Sequence, residues 1–120
     1  MAYDPDNIFA KILRGDIPCK KVYEDDHVLA FFDIAPKTPM HVLVIPKGAY
    51  VSHDDFSANA TDAEIAALTR AAGKIARDLG LAESGYRLIA NAGENGGQEV
   101  PHYHVHILGG AYVGPMVSRR

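Results

Sequence analysis

Between Pro101 and Gly110 the chain reads Pro-His-Tyr-His-Val-His-Ile-Leu-Gly-Gly, with histidine at 102, 104 and 106. Strict two-residue spacing is the period of a β-strand, in which successive side chains point to opposite faces. A strand over 102–108 puts His102, His104 and His106 on one face and Tyr103, Val105 and Ile107 on the other. The second set can anchor the strand in a core while the first lines an open surface. A helix would scatter the imidazoles around its circumference, so the pattern predicts a strand.

A row of imidazoles suggests a metal site, because histidine is a common metal ligand. Geometry argues against one ion held by all three. At a rise of about 3.3 Å per residue, neighbouring histidines lie about 6.6 Å apart and the outer pair about 13 Å apart. An adjacent pair could share zinc, but further ligands must then come from elsewhere. The chain has one cysteine, Cys19, with no Cys-x-x-Cys and no His-Glu-x-x-His. The expectation is no metal and no cofactor. The same spacing suits covalent chemistry: the central imidazole attacks an electrophile, and its neighbours touch the oxygens or the leaving group. An anionic phosphoryl or nucleotidyl group is the natural partner, and His104 the expected nucleophile.

The stretch His102-Tyr103-His104-Val105-His106-Ile107-Leu108 resembles the motif of the histidine triad superfamily. The preceding Asn91-Ala-Gly-Glu-Asn-Gly-Gly-Gln98-Glu-Val100 and the following Gly109-Gly110 resemble its nucleotide-binding branch. So do Ile8-Phe-Ala-Lys-Ile12, Gly15-Asp-Ile-Pro18, Phe31-Phe-Asp-Ile34 and His41-Val-Leu-Val-Ile-Pro46. The resemblance runs from about Asn7 to Gly110.

Composition sets wider bounds. At 120 residues, 48% hydrophobic and 22% charged, the chain is expected to be a single globular domain over 1–120. Its core would span about 7–110 and its tail 111–120. A formal charge of −3 gives no reason to expect nucleic acid or a membrane surface as partner. The start, Met-Ala-Tyr-Asp-Pro-Asp, has neither the basic nor the apolar region of a secretory signal. A single cysteine cannot form an internal disulfide, so the expected location is cytoplasmic and Cys19 is read as a bystander.

Along the chain, Asp4-Pro5 reads as a helix opening, with Ile8, Phe9, Ile12 and Leu13 at helical spacing and Gly15 as the stop. Lys21 to Tyr23 and Val28 to Ile34 read as strands, as do Val42 to Ile45 and Tyr86 to Ala90. Ser52 to Asn59 reads as a polar loop, and His53 receives no role. Thr61-Asp-Ala-Glu64 is a capping box opening a long helix whose stripe is Ile65, Leu68, Ala72, Ile75 and Leu79, with Gly80 as the stop. The predicted class is therefore α+β, an antiparallel sheet of about five strands with one short and one long helix.

Several residues read two ways. Ile8, Phe9, Ile12 and Ile17 are by default core packing; the resemblance implies that they line an apolar slot for a base, with Phe31, Ile34 and Leu43. Asp33 could simply cap the Ala-Pro-Lys-Thr-Pro loop; the resemblance makes it the acceptor of ribose hydroxyls. His41, at the edge of an apolar strand, is by default hydrogen-bonded structure; the resemblance sets it beside the triad to orient an imidazole. The turn at Gly96 and Gly97 reads as a connection between strands, although glycine lets backbone N–H groups approach a phosphate.

The resemblance then implies a purine mononucleotide or nucleoside phosphoramidate as partner, with Asp33 on the ribose. Asn91, Gly97, Val100 and the outer imidazoles would hold the phosphate. His104 would form a nucleotidyl-histidine, His106 would assist charge or leaving group, and His102 with His41 would orient the row. Histidine rather than glutamine at 106 implies hydrolysis instead of transfer. The resemblance also implies a homodimer with its sheet continued across the interface. Three features depart from the pattern. Glu99 stands where animal relatives have serine, Pro101 where this branch often has tyrosine, and the chain contains no tryptophan. Rival classes are a dinucleoside polyphosphate hydrolase, a nucleotide-binding adaptor with vestigial catalysis, and a metal-binding module.

Overall fold

The computed structural model describes residues 2–117. Five strands form one sheet: β1 (Lys21–Glu24), β2 (Val28–Phe32), β3 (Met40–Pro46), β4 (Tyr86–Ile89) and β5 (Val105–Gly109). Their spatial order is β1-β2-β3-β5-β4, and every neighbouring pair is antiparallel. Helices are α1 (Ile8–Leu13), α2 (His53–Asn59), α3 (Asp62–Asp78) and α4 (Leu81–Ser84). The α+β class and the five-stranded antiparallel sheet are as expected; α2 and α4 are additional.

The two faces of the sheet do different work. Val28, Ala30, Val42, Val44, Val105 and Ile107 alternate onto one face and pack with Leu68, Ala71, Ala72 and Ile75 of α3. Ile65 and Leu79, the ends of the expected stripe, pack against this core partly buried. The Thr61 hydroxyl accepts from the Glu64 N–H, and Glu64 accepts in return from the Thr61 N–H, closing the capping box. Ile75 is 1% exposed, so truncating it to alanine should cost about 2–5 kcal/mol. The opposite face carries Leu29, Phe31, Leu43 and Ile45, covered by Phe9 of α1. Because α1 is only six residues long, the rest of that face stays free for other side chains.

Three expectations are corrected. Helix α1 begins later than Asp4-Pro5: Asn7 is its cap, its Oδ1 accepting from the Ala10 N–H at 2.9 Å. Asp4 instead accepts from the Asp6 N–H and closes a local turn. The stretch Ser52 to Asn59 is not a loop. Ser52 caps α2, with Asp54 and Asp55 in its first turn, where carboxylates favour the positive end of the helix dipole. Finally, β5 begins only at Val105, so the regular ladder includes His106 but not His102 or His104.

Part of the C-terminal tail is tied down, since Arg87 donates to the carbonyls of Gly114 and Pro115. Of the expected tail 111–120, residues 118–120 lie outside the described residues. Among the described residues, no helix is long and apolar enough to cross a membrane.

Candidate active site

The middle of the sheet aligns the site. On β3 and β5, Leu43 pairs with His106 and His41 with Leu108, so His41, Leu43 and His106 share the face that α1 partly covers. His41 is buried, and its Nε2 lies 2.9 Å from Nδ1 of His106. Ring centroids of His104 and His106 are 5.1 Å apart. Tyr103, Val105 and Ile107 point into the core on the opposite side, as the alternation predicts. The expected open row is corrected: His102 is 0% and His104 6% exposed, and only His106 of the three is half-buried.

Fixed backbone groups set the tautomers. A carbonyl can only accept, so His104 donates its Nδ1–H to the carbonyl of His102 at 2.7 Å. In neutral His104 this leaves Nε2 unprotonated. His102 donates its Nε2–H to the carbonyl of Pro46 at 2.9 Å, and its Nδ1 accepts from the Tyr3 hydroxyl at 2.7 Å. The Lys37 backbone N–H donates to His41 Nδ1 at 3.1 Å. The proton of neutral His41 is therefore on Nε2 and is donated to His106 Nδ1, which puts the His106 proton on its outer Nε2. The row thus presents a lone pair at His104 beside a donor at His106.

Burial keeps these rings neutral. It lowers His41, His102 and His104 below the usual histidine value. His106 is pushed down to about 4, chiefly by burial and then by its neighbours His104 and His41. The carboxylates of Asp33 and Glu99 oppose part of the shift at His104. Phe9 meets the His104 ring edge to face at 5.0 Å, excluding water from one side of it.

Asp33 follows β2 directly. Its Oδ1 accepts from the Ala35 N–H at 2.8 Å, and its Oδ2 lies 3.4 Å from His41 Nε2. Asp33, His41 and His106 offer ligand atoms within 4.8 Å of one another, a spacing that one cation could bridge. The tautomer chain opposes this use. A metal on His41 Nε2 would have to displace the proton held there by the Lys37 amide, leaving both ring nitrogens unprotonated.

Some of the residues expected at the base are brought together. Phe9, Phe31 and Leu43 are buried in one apolar cluster with Leu29 and Ile45, and Ile12 and Val100 pack against it. Ile17 is half-buried, and Ile8 is 43% exposed. Ile34, at 95% exposed, stands outside the cluster. Asn91 is half-buried, whereas Gly97 and Glu99 are exposed on the loop that precedes the row. At Gly96 a Cβ would come within 2.4 Å of the Ala92 carbonyl oxygen, and Gly97 adopts φ +76°, so this turn requires both glycines.

Sequence reasoning gave no role to Gln98 or Tyr3. The Gln98 amide donates to the carbonyls of Val51 and Val100 and accepts from the Gly93 N–H, so one side chain shapes the whole loop. Its signal was weak, a polar residue beside two glycines. Tyr3 lies outside any periodic segment, and nothing local marks its contact with a residue 99 positions away. A cleft that borders this cluster at Ile12 and Leu29 is also lined by Arg14, Cys19, Lys21, Glu24 and Lys47, and none of the histidines of the row lies in it.

Residues 14–112 match the HIT domain. The chain belongs to the HIT domain family. It is 46% identical over 115 residues to the purine nucleoside phosphoramidase of Escherichia coli K12, covering 96% of each chain. An uncharacterised HIT-like protein of Azospirillum brasilense is 62% identical over 117 residues, covering 98% of this chain and 96% of that protein. Among solved structures, a HIT family hydrolase from Clostridium thermocellum superposes with a TM-score of 0.85 at 42% identity, covering 94% and 97% of the two chains. In this HIT domain the histidine row, its tautomer-setting carbonyls and the α1 cluster fall within or beside the matched residues.

Proposed function

We propose that this HIT protein hydrolyses the P–N bond of purine nucleoside 5′-phosphoramidates through a nucleotidyl-histidine intermediate. The observation that carries the reading is the unprotonated Nε2 of His104, set by its Nδ1–H bond to the His102 carbonyl, with the protonated Nε2 of His106 on the neighbouring ring. The Escherichia coli relative with purine nucleoside phosphoramidase activity in its name supports the substrate class.

The base lies against Ile8, Phe9, Ile12, Ile17, Phe31 and Leu43, and Asp33 accepts from the ribose hydroxyls. Asn91, the backbone at Gly97 and Val100, and the His106 imidazole hold the phosphate, with Glu99 at its rim. The His104 Nε2 lone pair attacks phosphorus in line and forms the P–N bond to histidine. As the bond to the leaving amine breaks, His106 Nε2–H donates a hydrogen bond to the departing group and stays protonated, while the amine nitrogen takes its proton from water. A second water then attacks phosphorus and gives up the proton that neutralises the hydroxide left by that step. The histidine–phosphorus bond breaks, releasing the mononucleotide. Splitting one displacement into two is the gain of covalent catalysis, and donors fixed before reaction supply the electrostatic part.

A homodimer with its sheet continued through β4 fits the same reading. β4 is an edge strand, and Tyr86 and Leu88 on it are exposed, as are Tyr112 and Met116 of the tail.

The test is steady-state hydrolysis of adenosine 5′-phosphoramidate by wild type and His104→Ala with chelator present. Turnover that falls by at least about 10⁴-fold in the mutant supports the mechanism. A folded wild type that binds AMP but leaves the phosphoramidate intact overturns it, and turnover of a diadenosine polyphosphate would then identify the rival hydrolase.

A further inference from the structure

His102 has no ring atom left for a substrate. It is fully buried, its Nε2–H is given to Pro46 and its Nδ1 is occupied by Tyr3. What it offers to the row is its backbone carbonyl, the acceptor for the His104 Nδ1–H. That carbonyl precedes the regular ladder of β5, which starts at Val105. The peptide that carries it is held by the Tyr103 N–H bond to the Tyr50 carbonyl at 2.8 Å, and the His102 side chain beside it by the pair of bonds that clamp the ring. Tyr3 makes the second of those ring bonds from the far end of the chain. Its ring also meets His102 edge-on, with centroids 5.5 Å apart at 67°.

We propose that Tyr3 is a positioning residue, whose hydroxyl holds the His102 ring and, through the His102 carbonyl, keeps His104 in the tautomer that leaves Nε2 free to attack. The inference rests on the phosphoramidase reading for its kinetic consequence but not for its structural one. Without the hydroxyl, His102 Nδ1 is a buried acceptor with no partner, and the ring must turn to find one. In so fully buried a place the ring has no room to turn without its backbone, so the carbonyl shifts and the His104 proton is no longer confined to Nδ1.

Tyr3→Phe keeps the ring contact and removes only the oxygen. Ring-nitrogen NMR shifts of His104 should show a single Nδ1–H tautomer in wild type and a mixture in the variant. Misplacement of this size should lower kcat about tenfold with KM within about twofold, because nucleotide contacts are untouched. A variant with wild-type tautomer and wild-type kcat overturns the proposal, even if its Tm falls, since the hydroxyl would then only stabilise the fold. A changed tautomer with unchanged kcat overturns it as well. If wild type fails to hydrolyse phosphoramidates, the activity reading falls. The NMR comparison still decides what Tyr3 does, and an unchanged tautomer there overturns the proposal.

Discussion

His41 Nε2 and His106 Nδ1 stand 2.9 Å apart although 65 positions separate them in the chain. The pairing follows from the register of β3 on β5, which sets Leu43 opposite His106. A slip of one residue would send His106 to the α3 face. The proton order along Lys37, His41 and His106 is therefore a product of strand register.

Neutral imidazoles predict an acid-tolerant enzyme. Burial lowers His104, and burial with two neighbouring rings holds His106 at about 4. kcat/KM should stay level as pH falls from about 7.5 and decline only below the ordinary histidine value of about 6.5. An acid limb centred at or above that value would falsify the assignment. Stability follows the same sign. The unfolded chain binds more protons between the folded and unfolded values, so the stabilisation is complete above about pH 6.5 and is lost as pH falls towards the folded value. Urea midpoints at several pH values check this.

Asp33→Asn removes the carboxylate that raises the pKa of His41, His104 and His106. All three should titrate lower, moving the acid limb of kcat/KM to lower pH. If Asp33 also holds the ribose, KM should rise by roughly tenfold or more. A 2′,3′-dideoxy substrate should then show no such difference between variant and wild type. Equal KM for the ordinary nucleotide would remove Asp33 from the ribose.

Glu99 is exposed, and its charge acts on His104. A carboxylate there repels a free phosphate but attracts a cationic amine on the leaving side. Glu99→Gln should lower the preference for lysyl over neutral adducts by about two- to fivefold, the size of an exposed charge pair. An unchanged ratio of kcat/KM values would sink the idea.

Gln98→Ala cuts the three hydrogen bonds that hold Gly93, Val51 and Val100 together. The expected loss of stability is about 1–3 kcal/mol, measured by urea unfolding. KM should rise as well, because the loop proposed to meet the phosphate loses its shape. A KM equal to that of wild type would show that the loop does not meet the nucleotide.

Periodicity made some of this legible. The alternation from His102 to Ile107 predicted which side chains enter the core, and Thr61 with Glu64 marked the start of α3. Helix α2 was missed because His53 to Asn59 has only Phe56 as a buried apolar anchor, too few for a helical stripe; Ser52 followed by Asp55 was the available sign. The burial of His102 was not legible either. It depends on Tyr3 and Pro46 arriving from distant parts of the chain. Ile34 fits the family's pattern in sequence, yet local packing leaves it almost wholly exposed.

The order β1-β2-β3-β5-β4 places His41 and His106 on strands with neighbours on both sides. Edge strands and short helices open first in a native protein, and central strands open only with the whole molecule. Amide hydrogens at 42–45 and 106–108 should therefore exchange at the rate of global unfolding, and those of α1 much sooner. A bound nucleotide should slow exchange in α1 more than in the strands. In such a molecule His41 and His106 sit on the most persistent part of the chain, and the α1 side chains proposed to meet the base on one of the least.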